Sequence, residues 1–328
     1  MRQLNAYTET WPLREVFTIS RGSRTETPVI VCALEQDGIR AWGEGQPNPR
    51  YDETPESSLA EIDAVRDDIQ AGQIDRLSLQ DAMSAGAARN AIDCAFWDLE
   101  AKRAGKRAWQ LAGLPEPKPI TTAYTLSVAS PEAMAAAAQR NAHRPLIKMK
   151  LTGEGDLQRV RAVRKVLPEA PIIVDANEGW EVGMVERFAI ELKKQHVQLV
   201  EQPLPSSDDG ALGDLAHPLA FCADESCHTS ADLERLRDLY DVVNIKLDKT
   251  GGLTEALKLR QAALDAGMGV MVGCMVATSL SMAPGVLVAQ GALVVDLDGP
   301  LLLARDRDAG LHYDDAGRVH PPEVALWG

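Results

Sequence analysis

The chain of 328 residues is long enough for one large α/β barrel with an appended piece, or for two domains. Its net charge of −14 argues against nucleic-acid binding, and no apolar run reaches the roughly 18 residues of a membrane helix. The amino-terminal sequence has no secretory signal pattern, and the five cysteines lack zinc-like spacing. We therefore expect a cytoplasmic protein with free thiols and no nucleic-acid or membrane partner.

Residues 1–115 predict a small α+β domain that precedes the rest of the chain. Three strand-like runs, QLNAYTETW, TPVIVCALEQDG and IRAWGEG, are followed by helical patterns around 54–71 and 86–105. Strands that precede helices, rather than alternate with them, are typical of this class. The proline-rich stretch GLPEPKPI places the domain boundary near residue 115.

Residues 116–300 alternate between apolar strand-like runs and helical stretches. The strand-like runs are ITTAYTLSV, LIKMKL, PIIVDAN, VQLVEQP, AFCADES, VVNIKLD, GVMVGCM and ALVVDLDGP. Landmarks in the last seven, at positions 150, 175, 201, 224, 246, 274 and 296, recur every 22 to 28 residues. Eight regularly spaced strands predict a parallel barrel, whereas a doubly wound sheet would need a glycine-rich phosphate turn that is missing here.

Three successive predicted strands end in an acid, namely Asp175, Glu201 and Asp224. A single acid in this position is usually a helix cap or a solvated loop group. Three in succession indicate convergence, because the carboxyl ends of barrel strands meet at one mouth. Such carboxylates need a counter-ion, and ligands that are all oxygen favour Mg²⁺, with Mn²⁺ as the alternative.

The run PLIKMKLTG carries two lysines, Lys148 and Lys150, on one face of a strand. Lys150 and Lys246 are predicted to face each other across the barrel mouth, with the acids between them. Burial, a metal ion and a like-charged neighbour such as Lys148 would lower the pKa of Lys150 towards the useful range for a base. Two such amines and a cation indicate proton abstraction next to a carboxylate, through an enediolate. Lys249 points to the other face of the strand and is predicted to be structural.

Five ordered motifs, KMK, VDAN, VEQP, ADES and NIKLDKTGG, resemble those of the muconate-lactonising subgroup of the enolase superfamily. The run ARNAIDCAFWDL resembles the helix that links the two domains of that group, so the resemblance covers nearly the whole chain. It implies an α/β fold with a (β/α)₇β TIM-like barrel over 116–300. The capping α+β domain would comprise residues 1–115 and a carboxy-terminal return over 301–328.

The resemblance also implies the roles of the residues at the barrel mouth. Lys150 and Lys246 would be the acid/base pair, and the three acids would hold Mg²⁺. Lys148 would contact the substrate carboxylate and tune Lys150.

The substrate is indicated by residues outside these motifs, because the subgroup includes cycloisomerases, o-succinylbenzoate synthases, N-acylamino acid racemases and dipeptide epimerases. Asp296 and Asp298 share one face at the end of the last strand, where two carboxylates at an acidic mouth favour a substrate ammonium group over an ordinary acidic loop. This Asp-x-Asp pair resembles the motif by which dipeptide epimerases are recognised.

A second indication of the substrate is the stretch SRGSRTE, in a flexible-looking loop, which resembles that of epimerases acting on L-Ala-D/L-Glu. The resemblance implies that Arg24 binds the glutamate side chain and that Thr125 contacts the substrate. In isolation, Arg21 and Arg24 would be solvated.

These features predict a magnesium-dependent isomerase that epimerises dipeptides, L-Ala-D-Glu and L-Ala-L-Glu, by two-base proton transfer at the α-carbon of the C-terminal residue. A role in peptidoglycan peptide recycling follows from the resemblance alone. Two alternatives stay open: another reaction on the same scaffold, and an acidic barrel that binds a metal or a partner without chemistry.

Overall fold

The amino-terminal part of the chain forms a three-stranded antiparallel sheet covered by helices, in a computed structural model that describes residues 2–328. The strands and helices of this part are β1 (Arg2–Ile19), β2 (Gly22–Gln36), β3 (Ile39–Gly45), α1 (Pro55–Ala71), α2 (Leu79–Ala82), α3 (Ala87–Ala104) and α4 (Ala108–Leu111). The predicted α+β class of this part is confirmed.

Strand β2 is buried on both of its faces, which explains its nearly continuous apolar sequence. Ile30, Cys32 and Leu34 pack in the core of the capping domain, whereas Val29 and Val31 belong to the larger core shared with the barrel. Alternate residues of a strand face opposite sides, so one strand serves both cores.

Helix α3 lies directly against the backbone of β3, at two glycines. A Cβ atom at Gly43 or Gly45 would overlap the carbonyl oxygens of Ala91 and Ala87 in α3. Only glycine permits this close approach between helix and sheet.

The β1–β2 hairpin corrects the predicted flexible loop at SRGSRTE. The two strands stay paired as far as Ile19 and Gly22, so only Ser20 and Arg21 form the turn. The polar composition suggested a loop, but backbone pairing continues because one face of the hairpin packs apolar side chains such as Phe17.

Eight parallel strands follow in chain order, each next to its neighbours in sequence. They are β5 (Tyr124–Leu126), β6 (Ile147–Lys150), β7 (Ile172–Asp175), β8 (Val197–Glu201), β9 (Ala220–Ala223), β10 (Val242–Ile245), β11 (Gly269–Val272) and β12 (Val294–Val295). The Ala123 amide donates to the Val295 carbonyl at 2.8 Å and joins the last strand to the first. The predicted barrel is confirmed.

The run ITTAYTLSV, predicted as one strand, is divided in two. Strand β4 (Ile120–Thr121) leaves the barrel to pair with β13 (Arg318–Val319), and only β5 enters the barrel sheet. The division follows from the change of partner, because the Thr122 amide donates to Gly317 while the next residue already bonds to β12.

Helices surround the barrel and turn their apolar side chains towards it. They are α5 (Pro131–Arg140), α6 (Asp156–Val166), α7 (Val182–Lys194), α8 (Leu233–Leu236), α9 (Leu247–Thr250), α10 (Leu253–Asp265), α11 (Ser279–Val288) and α12 (Gly299–Leu302). Helix α7 shows the pattern, with Val185, Phe188, Ala189 and Leu192 buried at helical spacing. A 3₁₀ turn over Asp209–Asp214 follows β8 in place of an α-helix.

The carboxy-terminal residues pack against the amino-terminal part. Leu303 bridges to Leu13, and the buried Trp327 donates its indole N–H to the Cys94 carbonyl at 3.0 Å. The domain limits at 115 and 300 stay a prediction. Within residues 2–328, no helix combines the length and apolar character that crossing a membrane requires.

Candidate active site and metal centre

Three carboxylates meet at the mouth of the barrel because their strands run parallel and in register. Asp175 and Glu201 end β7 and β8 as paired neighbours, and Asp224 follows β9 directly. One oxygen from each side chain lies within 4.8 Å of the others, and all three residues are buried.

The three acids fit a hard divalent cation. Glu201 Oε2 and Asp224 Oδ1 are buried without a hydrogen-bond partner among the described residues. Lys148 Nζ lies 2.5 Å from Glu201 Oε2 and Lys249 Nζ lies 2.7 Å from Asp224 Oδ1, both outside hydrogen-bond geometry. Burial, and to a lesser extent the charge of Asp175, raise the pKa of Glu201 to about 8, although Lys148 acts in the opposite direction. Oxygen ligands of this kind suit Mg²⁺ or Mn²⁺.

Two lysines flank the acids on opposite sides, from β6 and from the end of β10. Lys150 Nζ lies 2.6 Å from Asp175 Oδ2, and Lys246 Nζ lies 2.6 Å from Asp224 Oδ2. Both side chains line one cavity. Burial opposes the charge of Lys246, but Asp224 and Glu201 raise its pKa well above the ordinary value. At Lys246, the neighbouring carboxylates thus oppose the lowering of pKa that a general base needs, whereas a cation bound by the acids would favour it.

Lys148 lies inside the acidic cluster rather than beside the cavity. Its Nζ is 2.7 Å from Asp296 Oδ2 and 3.2 Å from Asp175 Oδ2. Burial opposes its charge, but Asp296 and Glu201 raise its pKa well above the ordinary value. Lys148 therefore connects the ligands of the candidate metal centre with the acids that follow β12.

The acids after β12 and the end of the first barrel strand form another part of the cavity wall. Asp298 Oδ2 accepts the Thr125 amide at 2.7 Å, and Asp296 Oδ1 lies 3.5 Å from the Thr125 hydroxyl. Burial and the neighbouring Asp296 raise the pKa of Asp298 to about 7. All three residues line the cavity that contains the two lysines.

The β1–β2 hairpin covers the cavity and presents Arg24 to it. Phe17 and Arg24 are directly paired, so their side chains share a face with Ile19, and all three line the cavity. The Arg24 guanidinium lies 5.7 Å from the centre of the Phe17 ring. Burial lowers its pKa, and no carboxylate within residues 2–328 offsets this effect. Arg21, in contrast, forms ion pairs with Glu225 at 2.7 Å and Glu178 at 3.2 Å.

Lys249 lies closer to the site than the sequence indicated. Its Nζ is 2.7 Å from Asp224 Oδ1 and donates to the carbonyls of Cys227 and Asn244 at 2.8 and 3.0 Å. Strand alternation predicted the opposite face, but the chain turns into α9 immediately after Lys246. The alternation of side chains along a strand therefore does not apply to Lys249. Its closeness in sequence to Lys246 was the feature that could have indicated its position near Asp224.

Further residues at the site were missed by the sequence reasoning. Asn244 Nδ2 donates to Glu201 Oε1 at 2.7 Å and orients that carboxylate. Glu225 and Tyr51 line the cavity. Glu225 follows Asp224 within the ADES motif, which was a usable signal, whereas nothing local marked Tyr51.

Comparisons with known proteins agree with this arrangement. Residues 132–325 match the family described as enolase C-terminal domain-like, and residues 1–113 match the mandelate racemase / muconate lactonizing enzyme N-terminal domain. The L-Ala-D/L-Glu epimerase of Escherichia coli is 43% identical over 323 residues, which cover 98% of this chain and 100% of the relative. The N-acetyl-D-glutamate racemase of a Pseudoalteromonas species is 42% identical over 301 residues, which cover 92% and 95%.

Solved structures show the same architecture. An enolase family member from Agrobacterium tumefaciens with homology to dipeptide epimerases, crystallised with sodium and L-Ala-L-Glu, is 51% identical with a TM-score of 0.97 over 100% of both chains. The dipeptide epimerase of Enterococcus faecalis, complexed with Mg and L-Leu-L-Tyr, is 27% identical with a TM-score of 0.91 over 99% of both chains. The chain therefore belongs to the enolase superfamily, in the family of mandelate racemase and muconate-lactonizing enzymes, as its motifs predicted.

Proposed function

We propose that the protein is a magnesium-dependent dipeptide epimerase that interconverts L-Ala-D-Glu and L-Ala-L-Glu. The observation that carries this proposal is the pair of amines, Lys150 and Lys246, that flank a buried trio of carboxylates and line one cavity. The L-Ala-D/L-Glu epimerase of Escherichia coli, which is 43% identical, supports the same activity.

The two lysines would exchange the α-proton of the C-terminal residue. Asp175, Glu201 and Asp224 would hold Mg²⁺, which when bound offsets the negative charge that develops on the substrate carboxylate. One amine takes the α-proton, and the electron pair moves into the carboxylate as an enediolate. The lysine on the opposite side, in its protonated ammonium form, returns a proton to the other face, so the configuration inverts and the two lysines exchange protonation states. Either lysine can act first, depending on the stereoisomer.

The remaining cavity residues would orient the peptide. Asp296 and Asp298 would bind the substrate ammonium group, because two buried carboxylates share that wall with Thr125. Arg24 would pair with the glutamate side chain, since its half-buried guanidinium has no carboxylate partner in the described chain. Lys148, which lies inside the acidic cluster, would hold the acids around it, and its predicted contact with the substrate would be made where the substrate carboxylate reaches those acids.

The biological setting belongs to the same proposal. We place the enzyme in the cytoplasm, where it would act on dipeptides released during peptidoglycan recycling. The support for the substrate is the L-Ala-D/L-Glu dipeptide from which the Escherichia coli relative takes its name.

Isotope exchange tests the proposed chemistry directly. A dipeptide library incubated with the protein and Mg²⁺ in D₂O should gain deuterium at the α-carbon of Ala-Glu peptides, as followed by mass spectrometry. Chelation with EDTA should stop the exchange, and added Mg²⁺ should restore it. The variant Glu191→Gln, at a half-buried surface position outside the cavity, should behave like the unmodified protein. A protein that binds Mg²⁺ but labels no peptide would contradict the proposal.

A second candidate is racemisation of N-acylated glutamate on the same scaffold. The N-acetyl-D-glutamate racemase relative, 42% identical, favours it. N-acetylglutamate has no ammonium group for Asp296 and Asp298 to bind. The ratio of kcat/KM for L-Ala-D-Glu over N-acetyl-D-glutamate distinguishes the two, and a ratio below one supports the second candidate. Cycloisomerisation and succinylbenzoate formation would not need these two aspartates.

A further inference from the structure

Glu178 is the centre of an ion-pair network that joins the capping domain to the barrel. Arg50 donates to both carboxylate oxygens of Glu178, from Nε at 2.6 Å and from Nη2 at 2.7 Å. Arg21 Nη1 donates to Glu178 Oε2 at 3.2 Å, and the Ser206 amide donates to Oε1 at 2.9 Å. One carboxylate thus holds the tip of the hairpin, the segment after β3 and the loop after β8.

The backbone around Glu178 is built for this contact. Asn177 and Glu178 both have positive φ angles, 43° and 65°, which non-glycine residues adopt at a cost. This turn of the backbone brings the Asn177 carbonyl within reach of the hairpin turn. The carbonyl accepts a hydrogen bond from the Ser20 hydroxyl at 2.8 Å and one from Arg21 Nη1 at 3.0 Å. The Glu178 side chain is only 8% exposed, so water screens its pairs less than at an open surface.

The two arginines of the hairpin tip have different surroundings. Arg21 is fully engaged, because its other terminal nitrogen donates to Glu225 at 2.7 Å. Arg24, three residues further along β2, faces the cavity and has no acidic partner in the described chain. A fixed Arg21 therefore fixes the strand that carries Arg24.

We propose that Glu178 is a positioning residue for substrate selection. By holding Arg21 and Arg50, it fixes the position of the hairpin relative to the barrel mouth, so that Arg24 can contact a side-chain carboxylate of the substrate. This inference rests on the proposed epimerase function. Glu178 contacts neither the carboxylate trio nor the two lysines that flank it. Its loss should therefore weaken recognition of the side chain and leave proton transfer in place.

Kinetics on two matched peptides test this role. Glu178→Gln keeps the shape of the side chain and removes the charge that binds the two arginines. For L-Ala-L-Glu, KM should rise about tenfold while kcat changes less than about threefold, as expected when a binding contact is loosened. For the neutral isostere L-Ala-L-Gln, KM should stay within about twofold, so the preference for glutamate falls about tenfold.

Two further variants separate this role from general stability. Glu191→Gln removes surface ion pairs with Arg161 of α6 and Lys194 of α7, and should match the unmodified protein with both substrates. Arg21→Met removes the tie to Glu178 from the hairpin side, together with the pair to Glu225, and should reproduce the loss of preference. If Glu178→Gln lowers the melting temperature and obscures its kinetics, Arg21→Met decides the question.

The outcomes distinguish this inference from the proposed function. Unmodified protein that does not epimerise L-Ala-L-Glu overturns the function and this inference with it. Active unmodified protein whose Glu178→Gln and Arg21→Met variants keep the preference for glutamate overturns this inference alone. An equal rise of KM for both peptides also overturns it, because the network would then hold the hairpin over the cavity for any peptide rather than select the side chain.

Discussion

Replacing Arg24 with methionine should abolish the preference for a charged substrate side chain. Methionine keeps the apolar contact with the Phe17 ring, which lies 5.7 Å from the guanidinium, and removes the charge. A bidentate pair between guanidinium and carboxylate provides charge-assisted hydrogen bonds of about 1.5–3 kcal/mol each. Partial exposure of the hairpin lowers the total to about 3 kcal/mol, which corresponds to about a 150-fold loss of kcat/KM for L-Ala-L-Glu.

The assay compares kcat/KM for L-Ala-L-Glu and L-Ala-L-Gln by polarimetry. The neutral peptide should lose less than about threefold, because it never formed the ion pair. Arg14→Met, an exposed substitution in the same hairpin outside the cavity, is the matched control. Equal losses for both peptides would refute the reasoning, since Arg24 would then support the hairpin and not read the side chain.

The other predictions concern the lysines, the acid after β12 and a buried aspartate. Lys150→Ala and Lys246→Ala should each lower epimerisation by about a thousandfold, and each should retain α-proton exchange in D₂O from one stereoisomer; normal epimerisation by either variant contradicts the two-base assignment. Asp298→Asn should lower kcat/KM for L-Ala-D-Glu about tenfold or more and leave N-acetyl-D-glutamate within about twofold, because only the dipeptide has an ammonium group. Burial raises the pKa of Asp248 to about 7. The folded state then keeps a proton that the unfolded state loses between about pH 4 and 7, so Asp248 should contribute a fall of about 4 kcal/mol in the free energy of unfolding as pH rises through this window. Asp298 and Glu201, whose pKa values are also raised, add to the fall. Urea unfolding of Asp248→Asn should therefore show a fall smaller by about 4 kcal/mol than that of the unmodified protein, and an equal fall in both would show that Asp248 does not contribute.

The barrel and its acidic mouth could be predicted because both depend on local rules. The spacing of apolar runs set the strands, and parallel strands place their last residues together, so Asp175 and Glu201 had to become neighbours. The same rule placed Lys150 and Lys246 on either side of them. These predictions needed only the position of each residue within its own strand.

The rest depended on where the chain leaves a strand and on contacts between distant segments. Lys249 was assigned to the wrong face because the strand ends before it and α9 begins. Glu178 bonds to Arg50 and Arg21, which lie 128 and 157 residues away, and nothing near it in sequence marks this role. The difference between Arg21 and Arg24 likewise appears only once their partners across the mouth are known.

The paired hairpin would separate substrate selection from proton transfer, which matters for engineering. In the proposed function, proton transfer belongs to groups on the barrel, whereas the contact with the substrate side chain would be made by a short β-ribbon from Phe17 to Arg24, whose two ends are paired side by side in the cap. We expect that this ribbon can be exchanged for that of a relative with a different substrate preference, provided that the residue corresponding to Glu178, which binds the tip of the hairpin, is exchanged with it. Altered selectivity could then be engineered without touching the reactive centre.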